Sequence, residues 1–179
     1  MLDSEFDEKS LEGIESGKRF FIKSYGLAKS TEVLLQKAIR HIMQHLKRPD
    51  LALSVECLLR ELTMNAAKAN FKKIFFSENG INSNNIDQYA RGMLAFREAL
   101  CTEMFNEYSQ KAKKADLHIL IALDYNEDRV ILEVRNNVPM SIAEEERVRE
   151  KLRAAMQTTD FAQLFTENVD ETEGAGLGL

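Results

Sequence analysis

Two periods of apolar residues run along this chain. Leu35, Ile39, Ile42 and Leu46 recur at steps of four, three and four, the spacing of one helical face. Ser30 reads as the N-cap of that helix, with Glu32 in its first turn. After the break KRPD, Pro49 suits the first turn of a second helix, with the apolar stripe Val55, Leu59, Leu62, Ala66 and Ala69. SENGINSNN (Ser77 to Asn85) is a loop by composition, and Ile86 to Lys113, rich in Ala, Leu, Met, Glu and Lys, predicts one long helix. The other period is that of strands. RFFIKSY (Arg19 to Tyr25) is aromatic and β-branched. DLHILIALDY (Asp116 to Tyr125) is almost wholly apolar and predicts a strand buried on both faces. RVILEVRN alternates and follows across NED, which predicts a hairpin. Ser141 and Glu144 fit a capping box for a helix reaching about Met156. The elements predict an α+β two-layer sandwich, with helices on one face of a mixed sheet.

At 179 residues, 44% hydrophobic and 30% charged, the chain suits one sizeable core. Residues 1–17 are acidic and unpatterned, a lead-in to a domain over 18–179. No apolar run approaches the roughly 20 residues of a membrane span, and the acidic start lacks the features of a signal peptide. A cytoplasmic protein without a membrane partner is expected. The net charge of -5 argues against a broad nucleic-acid surface, which needs an excess of clustered Lys and Arg. Cys57 and Cys101 lack CxxC spacing and read as reduced packing residues, and no His, Cys or carboxylate spacing makes a zinc site.

The second helix carries a line of polar residues. Glu61, Asn65, Lys68 and Lys72 fall at steps of four, three and four, beside the apolar stripe. Carboxylate, amide, ammonium, ammonium is an order suited to a nucleotide–metal site. An Asn oxygen is a neutral hard ligand for Mg²⁺, a carboxylate polarises water and a lysine meets phosphate charge. The plain alternative is a solvated helix face with a weak surface ladder.

The stretch ELTMNAAKAN around that line resembles the N-box of the GHKL superfamily, which includes gyrase, histidine kinases and mismatch-repair ATPases. EGAGLGL, at residues 173–179, resembles the second glycine box of the histidine-kinase and anti-sigma-kinase branches, and the two boxes stand in the family's order with a hairpin between them. The resemblance covers about residues 19–179 and implies a Bergerat-type fold binding ATP and Mg²⁺. It implies that Asn65 is the metal ligand and Glu61 the catalytic acid that orients water or the acceptor. It also implies that Lys68 lies near the phosphates and that Gly174, Gly176 and Gly178 end an ATP lid spanning about 157–179. In related kinases those glycines lead into a helix and two closing strands, so a chain cut from a longer protein is expected. A protein partner in trans, phosphoacceptor or regulator, is implied as well.

Two segments depart from the family. Where it carries D-x-G-x-G after the hairpin, this chain has VRNNVPM. Asn136 stands at the Asp position, able to accept from an adenine amino group without the strength that charge adds, and Val138 and Met140 stand near the glycine places. The stretch 72–115 is a helical insertion with three readings: docking a partner, making a homodimer, or covering the sheet. His45 is followed by Leu46, with Pro49 four positions on, a poor match to an autophosphorylation box. It reads as a histidine favoured by a helix C-terminus. P-loop and dinucleotide motifs are excluded, because no Lys follows the glycines and they alternate at the chain end. A kinase-type ATP-binding domain is the first reading, and a non-catalytic module of the same fold the second.

Overall fold

A computed structural model describes residues 19–100, 102–127, 129–140 and 142–157. Among them, three strands and five α-helices follow the order β1 (Phe20–Ser24), α1 (Lys29–His45), α2 (Ala52–Glu78), α3 (Ile86–Ala99), α4 (Thr102–Lys114), β2 (Ile119–Tyr125), β3 (Val130–Asn136) and α5 (Ile142–Gln157). A 3₁₀ turn, Pro49–Leu51, leads into α2. The chain divides into two compact units, one from Met1–Ala67 and His118–Asn136, the other from Lys68–Leu117 and Asn137–Leu179. The division falls within α2.

In the first unit, the sheet has the order β1-β2-β3 and is antiparallel throughout, where a mixed sheet was expected. Phe20 pairs with Leu123 and Ser24 with Ile119, while Ile121 faces Val134 and Leu123 faces Leu132. Residues directly opposed share a face, so Phe20, Ile119, Ile121 and Leu123 form one buried surface. Leu35, Ala38, Ile39, Ile42 and Met43 of α1 are buried with them, and the His45 ring meets the Tyr125 ring edge-on at 5.7 Å. The other face carries the exposed Phe21, Leu120 and Ile131 and the ion pairs of Glu133 with Arg19 and Arg135. On that face β2 turns out the exposed Leu120 but also Ala122, which is buried, so the strand is buried along one face and only in part on the other, where its apolar composition predicts two buried faces. Antiparallel sheets can solvate one face in this way.

Helix α1 begins without a side-chain cap. Ala28, not Ser30, is its N-cap. Its end is sharper: Lys47 takes a left-handed φ of 56°, and its N–H and that of Arg48 return to the carbonyls of Gln44 and Met43. This Schellman closure satisfies two orphan carbonyls, and Pro49 prevents continuation.

The buried face of α2 differs from the apolar stripe expected of it. Glu56, Leu59, Thr63, Ala67, Asn70 and Phe71 are buried, while Val55, Leu62, Ala66 and Ala69 are only partly covered. The stripe is rotated by about one residue because three polar side chains go inside. The Glu56 carboxylate is forked by Arg40, and the Thr63 hydroxyl donates to the Leu59 carbonyl at 2.8 Å. Partners of this kind offset the cost of burying polar atoms.

In the second unit, the expected single helix over 86–113 is two. Asn85 caps α3 by accepting from Gln88 N, and α3 ends at Leu100, whose ψ of 89° leaves the helical region. The reason lies in Phe71–Phe76. Phe75 and Phe76 meet Phe96 and Tyr89 of α3 with tilted and edge-on rings at 5.5 and 5.7 Å, whereas Phe71 meets Phe105 and Tyr108 of α4 at 5.2 and 6.0 Å. A straight 28-residue helix would be about 42 Å long and could not return both aromatic sets to so short a segment. Helix α5 begins where the capping box places it, although Ser141 itself lies outside the described residues.

Candidate functional site

Helix α2 carries seven charged side chains, four of them paired: Glu56 with Arg40, Arg60 with Glu32, Lys72 with Glu144 and Glu78 with Lys111. Glu61 and Lys68 are partly buried and form no hydrogen bond or ion pair among the described residues. Asn65 lies one turn beyond Glu61, and its Nδ2 is buried without a hydrogen-bond partner among the described residues. At 100° per residue, Glu61 and Asn65 project roughly opposite the buried face of Leu59, Thr63 and Ala67. A buried amide nitrogen left unpaired carries a cost of about 1–3 kcal/mol.

The other expected site residues distribute unevenly. Lys68 continues the same helical line and is the first residue of the second unit. Lys72, the fourth of the line, is committed elsewhere. Its ammonium pairs with Glu144 and lies 5.7 Å from the Tyr89 ring centre, and Tyr89 donates to Glu144 Oε1 at 3.1 Å. Burial raises the Tyr89 phenol above its ordinary pKa, opposed by the charge of Lys72. Sequence spacing could not reveal this cluster, since it joins residues 72, 89 and 144. Asn136 is the last residue of β3, opposite Ile119, and so projects to the buried side of the sheet. Gly174, Gly176, Gly178 and the expected lid over 157–179 lie, from residue 158 on, outside the described residues.

The donor set fits Mg²⁺ and a polyphosphate in kind. The amide of Asn65 offers a hard neutral oxygen, Glu61 a carboxylate and Lys68 an ammonium, and the orphaned Asn65 Nδ2 is a donor suited to a phosphate oxygen and not to the cation. Among the described residues, no group of three or more His, Cys, Asp and Glu forms an all-protein metal cage. Mg²⁺ bound through one or two side chains, waters and phosphates does not require one.

A separate cleft of about 100 Å³ opens between α1 and the start of α2, with Leu35, Ile39 and Leu59 on its floor and Leu53 at its rim. It contains none of Glu61, Asn65, Lys68 or Asn136. Cys57 lines it as an exposed free thiol rather than a packed one.

Among the described residues, the elements and this site define an α+β protein with a three-stranded antiparallel sheet and a polar line on its longest helix. Among the described residues, no helix is long and apolar enough to cross a membrane. No protein-family model matches the chain, and no solved structure matches it. An uncharacterized protein of Treponema pallidum (strain Nichols) is 29% identical over 172 residues, 96% of this chain and 33% of that relative. The chain thus spans about a third of the length of the curated relative it matches.

Proposed function

We propose that this chain binds ATP with Mg²⁺ as the nucleotide-binding part of a signalling kinase of the histidine-kinase or anti-sigma type, with a Bergerat-type fold. The observation that carries this reading is the line Glu61, Asn65 and Lys68, free of partners among the described residues on a helix whose neighbouring charges are mostly paired. The resemblance of ELTMNAAKAN and EGAGLGL to the two boxes of that family supports it.

In this reading Asn65 Oδ1 holds the metal, and Lys68 meets the phosphate charge. Glu61 orients a water or an acceptor hydroxyl and takes up its proton. Magnesium supplies charge neutralisation on the phosphates when bound. The chain's contribution is positioning and electrostatics, with the phosphoryl group passing to a protein partner in trans. A thermal-shift series with ATP, ADP and Mg²⁺ tests the reading, since a ligand at 100 times its Kd adds about 2.7 kcal/mol of stability. A melting temperature unmoved by millimolar nucleotide would refute it.

A second reading rests on Asn136, Val138 and Met140, which replace the charged and glycine positions of the adenine-binding box. It makes the chain a non-catalytic module of the same fold that senses nucleotide or binds a regulatory protein.

A further inference from the structure

Helix α3 is apolar on two sides. Gly92 and Phe96 are buried, whereas Ile86, Ala90 and Leu94, at steps of four, are exposed, Ile86 by 86% and Leu94 by 55%. At about 100° per residue the three span roughly 80° of the helix surface, a single stripe turned to solvent. Asp87 and Arg91 run along one flank of it. They have the spacing and order of an intrahelical ion pair and form none. Arg91 Nε donates to the Asp87 carbonyl at 3.3 Å, and neither the Asp87 carboxylate nor the Arg91 guanidinium meets an opposite charge among the described residues. The other charges of α3, Arg97 and Glu98, lie in its last turn, and beside Tyr89, at the inner edge, Lys72 pairs with Glu144. The helix thus carries two charges of each sign.

We propose that α3 packs against α3 of a second copy of the chain, antiparallel and two-fold, with Ala90 at the axis. Reversal about Ala90 sets Ile86 of each copy against Leu94 of the other and leaves the small side chain where the two helices come closest. Like flanks then face each other, so Asp87 of one copy stands about 3 Å along the axis from the level of Arg91 of the other, at about 1.5 Å per residue. The two-fold repeats that ion pair, because residue i meets j wherever j meets i. This reciprocity singles out a second copy. A partner must bring a cation to Asp87 and an anion to Arg91 in reversed order, which this helix does by itself, whereas a uniformly acidic or basic segment meets a like charge at one of the two. From Ile86 to Leu94 the stripe is about 12 Å long. So short a contact falls below the roughly 1,200 Å² of a standard interface, and the dimer is accordingly weak and concentration-dependent.

Sedimentation equilibrium on the full chain, carried to millimolar concentration, tests the proposal. The wild type is expected to rise from the monomer mass toward twice that value. Leu94→Glu, at an exposed position, is expected to stay at the monomer mass with an unchanged circular dichroism spectrum. Asp87→Arg and Arg91→Asp are each expected to weaken association when alone, and to associate when mixed, since one then presents two cations and the other two anions. In a Cys57→Ser background, Ala90→Cys is expected to form a disulfide-linked dimer under mild oxidation, and Ala95→Cys, about 140° around the helix from Ala90, is expected not to. A wild type that is monomeric throughout leaves the stripe to a different protein and overturns the proposal. A Leu94→Glu variant that associates like the wild type, or two charge-reversed variants that fail to associate when mixed, would overturn it as well. Nucleotide binding is read separately, so none of these results depends on the proposed ATP site.

Discussion

Arg40 grips Glu56 with two bonds, Nε to Oε1 at 2.7 Å and Nη2 to Oε2 at 3.3 Å, across the start of the α1–α2 pair. The carboxylate side chain is 7% exposed, the guanidinium 63%. The hydrogen bond from Glu56, then its charge, raises the Arg40 pKa. The pair is therefore one-sided: the buried partner needs the exposed one more than the reverse. Arg40→Ala should lower the urea midpoint clearly, because it leaves a buried carboxylate unpaired. Arg48→Ala, which removes a pair exposed on both sides, should change it little. Replacing both Arg40 and Glu56 by leucine should recover most of the loss, and equal midpoints for Arg40→Ala and Arg48→Ala would contradict the account.

Such pairs explain what the sequence hid. The first two helices and the last, the hairpin and the three strands follow from periodicity and turn residues, and are found nearly where the pattern puts them. The buried face of α2 does not, because Glu56, Thr63 and Asn70 look solvent-facing until Arg40 and the Leu59 carbonyl are brought to the first two. The break between α3 and α4 was equally hidden, since helix-forming residues run through it and only the aromatic contacts of Phe71–Phe76 require it. Of the candidate site, Glu61, Asn65 and Lys68 were legible from spacing, and the commitment of Lys72 to Glu144 was not.

Gly92 is buried in α3, and a Cβ there would lie 2.9 Å from Ile81 Cγ2 and 3.1 Å from Phe76 Cζ. In an exposed helix Gly→Ala gains about 1 kcal/mol. Here overpacking of about 1–3 kcal/mol should cancel or reverse it. Gly92→Ala should therefore fail to stabilise the protein in chemical denaturation, and a gain of a full 1 kcal/mol would show that the contact is loose.

Tyr108 donates to Glu78 Oε2 at 2.7 Å, and Lys111 lies 2.7 Å from both Glu78 and Glu107. Burial, then the bond to Glu78, pushes the Tyr108 phenol from 10.0 up to about 12. The bond from Lys111, then that from Tyr108, holds Glu78 below the ordinary carboxylate range. A phenol raised in the folded state stabilises fully below pH 10.0, and that contribution is lost as pH rises through about 12. The lowered carboxylate acts in reverse: its contribution is present above its ordinary 4.5 and is lost as pH falls through the folded value. Urea midpoints against pH should fall on both flanks, and Tyr108→Phe should flatten the alkaline one. An alkaline flank unchanged in Tyr108→Phe would assign it to other groups.

Glu61 is proposed to act on the attacking group and not to hold the nucleotide. Glu61→Gln keeps the shape and removes the proton acceptor, so nucleotide affinity should stay within a few-fold while turnover falls about 10²–10⁴-fold. Single-turnover phosphate release with labelled ATP reads the second quantity. Turnover equal to the wild type would remove Glu61 from the mechanism.

Calorimetric titration of Mg-ATP into the wild type and into Asn65→Ala tests the central claim most directly. The account predicts saturable heat for the wild type, its loss in Asn65→Ala and at least equal thermal stability in the variant, because the substitution removes a buried unpaired amide. Unchanged affinity in Asn65→Ala, or no heat from the wild type at millimolar nucleotide, would contradict it.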